Sequence, residues 1–188
     1  MIVLVGCEYS GIVAKAFRDK GNVSWSCDLL PGLIPEFHLQ MDIFEAVKLI
    51  KPDLLIAHPP CTYLSKAQIF RLYISSGRLL DSYNSVLFVE KIFNLPVPQI
   101  AIENPPGVLS FAWKPYSQCI NACYFGDSHF KQICLWLKNL APLIAVCHNP
   151  EKRSMSNHVN SRMSSEVKSI IKSKFFEGVA KEMANQWG

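Results

Sequence analysis

The sequence predicts an α/β domain with a mostly parallel sheet and an antiparallel hairpin on its C-terminal side. Three observations carry that expectation. Short apolar runs alternate with stretches of helical spacing, the pattern of βαβ units. Polar residues stand directly after the apolar runs, at Glu8, Asp28, Cys61 and Glu103. In the second half, two apolar runs flank Tyr124-Phe125-Gly126-Asp127-Ser128, a connection suited to a hairpin.

Each element follows from local chemistry. Residues 1–5 read as a buried strand, and 6–11 as a turn bearing Gly6 and Gly11. Residues 12–20 have helical spacing, with Ile12, Ala16 and Phe17 on one face and Gly21 as the stop. A second strand over 23–27 ends at Asp28, and 31–37 is loop. A short helix over 43–50 precedes the strand 53–57, which His58-Pro59-Pro60-Cys61 terminates. Two prolines remove backbone donors and so end a strand. Residues 78–93 form a longer helix with Leu79, Tyr83, Val86, Leu87 and Ile92 apolar. The strand 99–102 runs into Glu103-Asn104-Pro105-Pro106. The runs 117–123 and 133–137 make the hairpin, and 146–165 is a polar, Ser/Asn-rich loop. A last helix over 177–187 aligns Val179, Met183 and Trp187. No internal repeat appears, so 1–188 reads as one domain.

Composition narrows the function. Hydrophobic residues make up 49% of the chain, enough for a core and against disorder. No run is long and apolar enough for a transmembrane helix, and the N-terminus lacks a basic leader. The seven cysteines include no C-x-x-C pair, so no metal site is expected and a reducing cytoplasm is the natural setting. The net charge of +4 permits a nucleic-acid partner without requiring one. Much of it lies late, in Lys152, Arg153, Arg162, Lys168, Lys172 and Lys174, as a phosphate-contacting patch or a solvated face.

In a parallel sheet the strand ends lie along one edge, where open α/β folds bind ligands. Glu8, Asp28, Cys61 and Glu103 are therefore placed to converge. A thiol beside a carboxyl allows nucleophilic catalysis with acid assistance. Each has a plainer reading: an acid after a strand often caps the next helix, and a cysteine there is often packing. His58, His129 and His158 read as supporting or surface residues, and Trp25 as either core or a stacking ring.

These residues, in this order, resemble the DNA (cytosine-5) methyltransferase family. Val5-Gly6-Cys7-Glu8-Tyr9-Ser10-Gly11 is similar to its first motif, so the resemblance implies S-adenosyl-L-methionine contacts for Gly6, Glu8, Tyr9, Ser10 and Gly11. It places Asp28 at the ribose hydroxyls and Asp42, in Met41-Asp42-Ile43, at the adenine. Pro59-Pro60-Cys61 with Ser65 resembles the Pro-Cys motif, which makes Cys61 the nucleophile, Pro59 a cofactor neighbour, and Pro60 and Ser65 substrate neighbours. Ile102-Glu103-Asn104 resembles the Glu-Asn motif, which sets Glu103 and Asn104 at the cytosine edge. Asn121-Ala122 with Phe125-Gly126 and Lys131 resembles a further substrate motif, with Lys131 a cation beside the thiolate. The closing helix is similar to the last motif. The resemblance spans nearly the whole chain and implies a Rossmann-like methyltransferase fold acting on cytosine carbon 5. The small size and compact motif set also resemble short phage and prophage members of the group.

The chain also departs from that pattern. Val13 replaces a glycine, Thr62 a glutamine, Pro105 a valine and Ile133 an arginine. Only the segment 138–177 could hold a target-recognition region, and base-edge reading needs dedicated side chains. Weak reading of DNA, help from a protein partner, action on single strands and modification of a nucleotide all stay open, with cytosine in DNA as the first expectation for the substrate. A different pyrimidine nucleotide, or a non-catalytic binding role such as phage anti-defence, are the alternatives.

Overall fold

The computed structural model describes residues 1–66, 69, 76–128, 130–148 and 175–188. The late basic residues, His129, His158 and the polar segment beyond 148 lie outside them. Seven strands form one sheet: β1 (Ile2–Gly6), β2 (Val23–Asp28), β3 (His38–Gln40), β4 (Leu54–Ala57), β5 (Gln99–Asn104), β6 (Gln118–Asn121) and β7 (Gln132–Lys138). Their order is β3-β2-β1-β4-β5-β7-β6. The first five are mutually parallel, and β7 runs antiparallel to both β5 and β6. The α/β class, the mostly parallel sheet and the C-terminal hairpin are as expected.

Strands buried on both faces explain the unbroken apolar runs. Side chains alternate across the sheet. Val3, Val5, Leu54 and Ile56 meet α1 (Ile12–Arg18) and α5 (Glu177–Trp187) on one face. Leu4, Leu55, Ile100, Ile102 and Trp136 meet α2 (Ile43–Ile50) and α3 (Ser76–Phe93) on the other. Val179, Met183 and Trp187 are buried together on α5.

Several expectations change in detail. Helix α1 ends at Arg18 and buries Val13 and Ala14 with the expected Phe17, while Ile12 and Ala16 pack half-buried against the same core. Helix α3 packs through Ser82, Val86, Val89 and Ile92, at spacings that return to one face. Leu79 and Tyr83 point outward, each 59% exposed. Strand β5 continues through Glu103 and Asn104, because Leu135 and Cys134 of β7 pair with them. Strand β3 and the turn of helix α4 (Leu109–Ala112) are too short for periodicity to reveal.

Candidate active site

In the sheet order, β2 lies on one side of β1 and β4 on the other, so the crevice above their carboxyl ends is the topological switch point. A cavity of about 430 Å3 opens there. Its wall includes Cys7, Asp28, Asp42, Ile43, Pro60 and Tyr63, with Asp81 and Phe88 contributed by α3.

The two lip carboxylates are locally built. Asp28 is the last residue of β2, and its Oδ1 accepts the Leu30 N–H at 2.9 Å. Asp42 caps α2, its Oδ1 accepting the Phe44 N–H at 2.8 Å. Among the described residues, neither second oxygen has a hydrogen-bond partner. Cys7 holds φ 56°, a left-handed backbone in the turn after β1. Burial, then the charges of Asp28 and neighbouring groups, push its thiol up to about 12. Cys27 is likewise pushed up to about 12 by burial first, and its Sγ donates to the Met41 carbonyl at 3.2 Å. Both thiols are therefore neutral near pH 7, so the cavity pairs a largely apolar wall with carboxylates.

The rest of the first turn faces elsewhere. Glu8 is buried, and its carboxylate receives the Val13 and Ala14 N–H groups at 2.7 and 3.3 Å and the Ser10 hydroxyl at 3.2 Å. It thus satisfies the orphan donors at the start of α1, the capping role open to an acid after a strand. Burial raises its proton affinity, against the opposing pull of His58 and those donors. The Tyr9 carbonyl binds the Leu33 N–H at 2.9 Å, and Gly11 enters α1 with φ 70°. Gly6 lies under the Ile43 side chain, where a Cβ would collide. Of the cofactor residues expected from the first motif, none lines the cavity; Cys7 does. Pro60, expected at the substrate, lines the cavity, while buried Pro59 does not.

A second cluster adjoins that wall through Pro60. Residue Ala57 pairs with Ile102, so the residues after them, His58 and Glu103, stand side by side. His58 Nδ1 lies 3.1 Å from Glu103 Oε2. Phe175 covers the His58 ring at a centroid distance of 4.5 Å. Cys61 is solvent-exposed, with its carbonyl accepting the Leu64 and Ser65 N–H groups at 3.1 Å each in a single tight turn. Surrounding protein nevertheless raises its thiol, with burial the largest cause; Glu103 raises it further and Lys131 lowers it. Both charged groups therefore act on the sulfur. The Lys131 Nζ also lies 5.1 Å from the Phe176 ring centroid.

The loops after β4 and β5 are stitched together. Asn104 Nδ2 donates to the Pro59 carbonyl at 2.8 Å. The Val108 N–H binds the Leu64 carbonyl at 2.7 Å, and the Lys66 N–H binds the Pro106 carbonyl at 3.1 Å. Ser65 bridges Gly107, at which a Cβ would strike the Leu64 carbonyl. Ser65 and Asn104 thus hold the loop that presents Cys61.

The hairpin residues divide. Phe125 is 3% exposed and belongs to the core beneath α5. Gly126, at φ 90°, closes the turn of 3-10 helix Ala122–Phe125. The Asp127 carboxylate then receives the Gly178 and Val179 N–H groups at 3.2 and 3.1 Å, which fastens the hairpin turn to α5. Asn121 Oδ1 is buried without a hydrogen-bond partner among the described residues. Trp25 packs on Phe37 at 5.9 Å and does not line the cavity.

Sequence reasoning missed Phe175, Phe176 and Gly107 as parts of the site and read His58 only as a supporting or surface residue. His58 was visible as the residue between the apolar run and the two prolines, and Phe175-Phe176 as an aromatic pair before the last helix. Among the described residues, no group of three or more His, Cys, Asp or Glu is arranged to hold a metal, and no helix is long and apolar enough to cross a membrane. No protein-family model matches the chain, and no curated protein matches it either.

Proposed function

We propose that the chain is an S-adenosylmethionine-dependent enzyme that methylates carbon 5 of cytosine in DNA, in the manner of the DNA (cytosine-5) methyltransferases. One observation carries this reading: an exposed thiol and a carboxyl converge at the ends of neighbouring parallel strands, beside a carboxylate-lipped cavity at the switch point. The strand order β3-β2-β1-β4-β5 supports it, because doubly wound nucleotide-binding sheets use that order.

The cavity fits the cofactor chemically. Ile43 and Phe88 offer apolar surface for an adenine, Asp28 an acceptor for ribose hydroxyls and Asp42 an acceptor for an exocyclic amine. S-adenosylmethionine, when bound, supplies an electrophilic methyl group. The chain's own residues prepare the nucleophile. Cys61, as thiolate, adds to carbon 6 of the pyrimidine and gives carbon 5 enamine character. Glu103 supports the charge that builds at the N3 and N4 edge, by protonation or hydrogen bonding. After transfer, loss of the carbon 5 proton to a base expels the Cys61 thiolate and restores the ring. Lys131 favours the thiolate, which at the ordinary thiol pKa of about 8.5 is a small fraction at neutral pH. In a duplex the target base has to be flipped out, and the exposure of Cys61 suits a base arriving from outside. A DNA substrate, a cytoplasmic setting and a protein partner for target choice belong to the same reading.

The test is transfer of labelled methyl from S-adenosylmethionine to cytosine-containing DNA by the purified protein. Wild type should transfer label and Cys61→Ser should not. Because Cys61 is exposed, the variant should melt like wild type. Transfer that survives Cys61→Ser would overturn the assigned nucleophile.

A further inference from the structure

His58 is a largely covered titratable group that this chemistry leaves unused. It stands just past β4, with its backbone N–H on the Gly6 carbonyl at 3.0 Å and Pro59 fixing the chain after it. Its side chain is 12% exposed and that of Glu103 is 15% exposed. The contact from Nδ1 to Oε2 is the one side-chain hydrogen bond of Glu103 among the described residues. The opposite ring nitrogen, Nε2, is buried and has no partner among them. Phe175 lies against the ring. Glu8, already occupied by the α1 donors, interacts with His58, and Lys131 acts with Glu103 on the adjoining Cys61.

These facts bear on the protonation of the ring. The carboxyl oxygen opposite Nδ1 calls for a donor, so Nδ1 carries the hydrogen. A hydrogen on Nε2 instead would leave a buried donor with no acceptor among the described residues and would turn the Nδ1 lone pair toward the carboxyl. The geometry thus places a ring hydrogen on Nδ1.

We propose that His58 is a positioning residue for Glu103: its Nδ1–H binds Oε2 and fixes the carboxyl so that Oε1 is the oxygen offered to the pyrimidine. This rests on the cytosine reading above. A free glutamate side chain rotates about several bonds, and catalysis loses steeply when a reacting group is misplaced.

Two measurements test it, and only one needs turnover. Nitrogen-15 NMR of the wild-type protein at neutral pH should show a hydrogen on Nδ1 of His58. A ring whose hydrogen sits on Nε2 alone overturns the proposal. The second measurement compares His58→Leu, which removes the donor, with His58→Asn, whose amide can replace it. His58→Leu should lower kcat for methyl transfer about 100-fold with KM for S-adenosylmethionine unchanged, the scale of a misplaced catalytic group. His58→Asn should recover at least tenfold of that. Equal losses in the two variants, or a loss confined to KM, overturn it. If wild type transfers no methyl group to DNA, the proposed function falls, while the NMR measurement still decides the tautomer.

Discussion

Asn104 holds Pro59: its Nδ2 donates to the Pro59 carbonyl at 2.8 Å, from a residue only 1% exposed. Two neighbouring parallel strands are thereby locked at the point where each leaves the sheet. Cys61 follows one of them and Glu103 precedes the lock on the other, so the relative placement of thiol and carboxyl passes through this bond.

Asn104→Ala should therefore lower stability. It strands the Pro59 carbonyl in a buried setting, which costs about 1–3 kcal/mol. Asn104→Asp should cost more, because it sets a buried carboxylate against a carbonyl oxygen. Urea unfolding of the three proteins is the measurement. A midpoint for Asn104→Ala equal to that of wild type would show that the lock contributes nothing.

Glu8 gives a pH signature. Its proton affinity is raised in the folded protein, with burial as the main cause. The stability linked to it is therefore fully present below the unfolded carboxyl pKa of about 4.3, and is lost as pH rises through the higher folded value. Glu8→Gln lacks that dependence. The melting temperature of Glu8→Gln minus that of wild type should therefore grow as pH is raised from the acid side. A difference that shrinks instead would mean that the Val13 and Ala14 donors outweigh burial and hold Glu8 ionised.

The Cys61 thiol is raised by burial and by Glu103 and lowered by Lys131. Its alkylation by iodoacetamide, followed on the Cys61 peptide by mass spectrometry, should therefore reach half-maximal rate at a pH above the ordinary thiol value of about 8.5. Lys131→Met should move that midpoint upward, and Glu103→Gln should move it downward. An unchanged midpoint in Lys131→Met would remove Lys131 from the thiol's environment.

The fold was legible where the chemistry is local. Apolar runs such as Leu54–Ala57 announce strands buried on both faces, and Pro59-Pro60 announces where β4 ends. The position of Glu103 within β5 was not legible, because it depends on β7 arriving beside that strand from far along the chain. The same holds for the site. Asp28, Cys61 and Glu103 were visible as polar residues at strand ends, and Asp42 only through the family resemblance. The inward turn of Glu8 was foreseeable only as an alternative, since the same acid can cap a helix or face a ligand. Phe125 looked like a pocket residue because its neighbours matched a motif, yet α5 packs over it and takes it into the core. His58 acquires a role only once β4 and β5 bring it against Glu103.

The two lip carboxylates allow the cofactor reading to be tested apart from catalysis. Asparagine can replace either one without harming the backbone, because its side-chain oxygen still accepts the Leu30 N–H at position 28 and still caps α2 at position 42. Any loss of binding would then come from the missing charge and the altered acceptor. Calorimetric titration with S-adenosylmethionine should show wild-type binding, and each of Asp28→Asn and Asp42→Asn should weaken it about tenfold, or ~1.4 kcal/mol, the scale of one hydrogen bond to a charged group. Melting temperatures without ligand should stay close to wild type, which separates lost binding from lost fold. Unchanged affinity in both variants would take the cofactor out of this cavity. The thiol–carboxyl pair at Cys61 and Glu103 would then stand without the methyl donor its proposed chemistry needs.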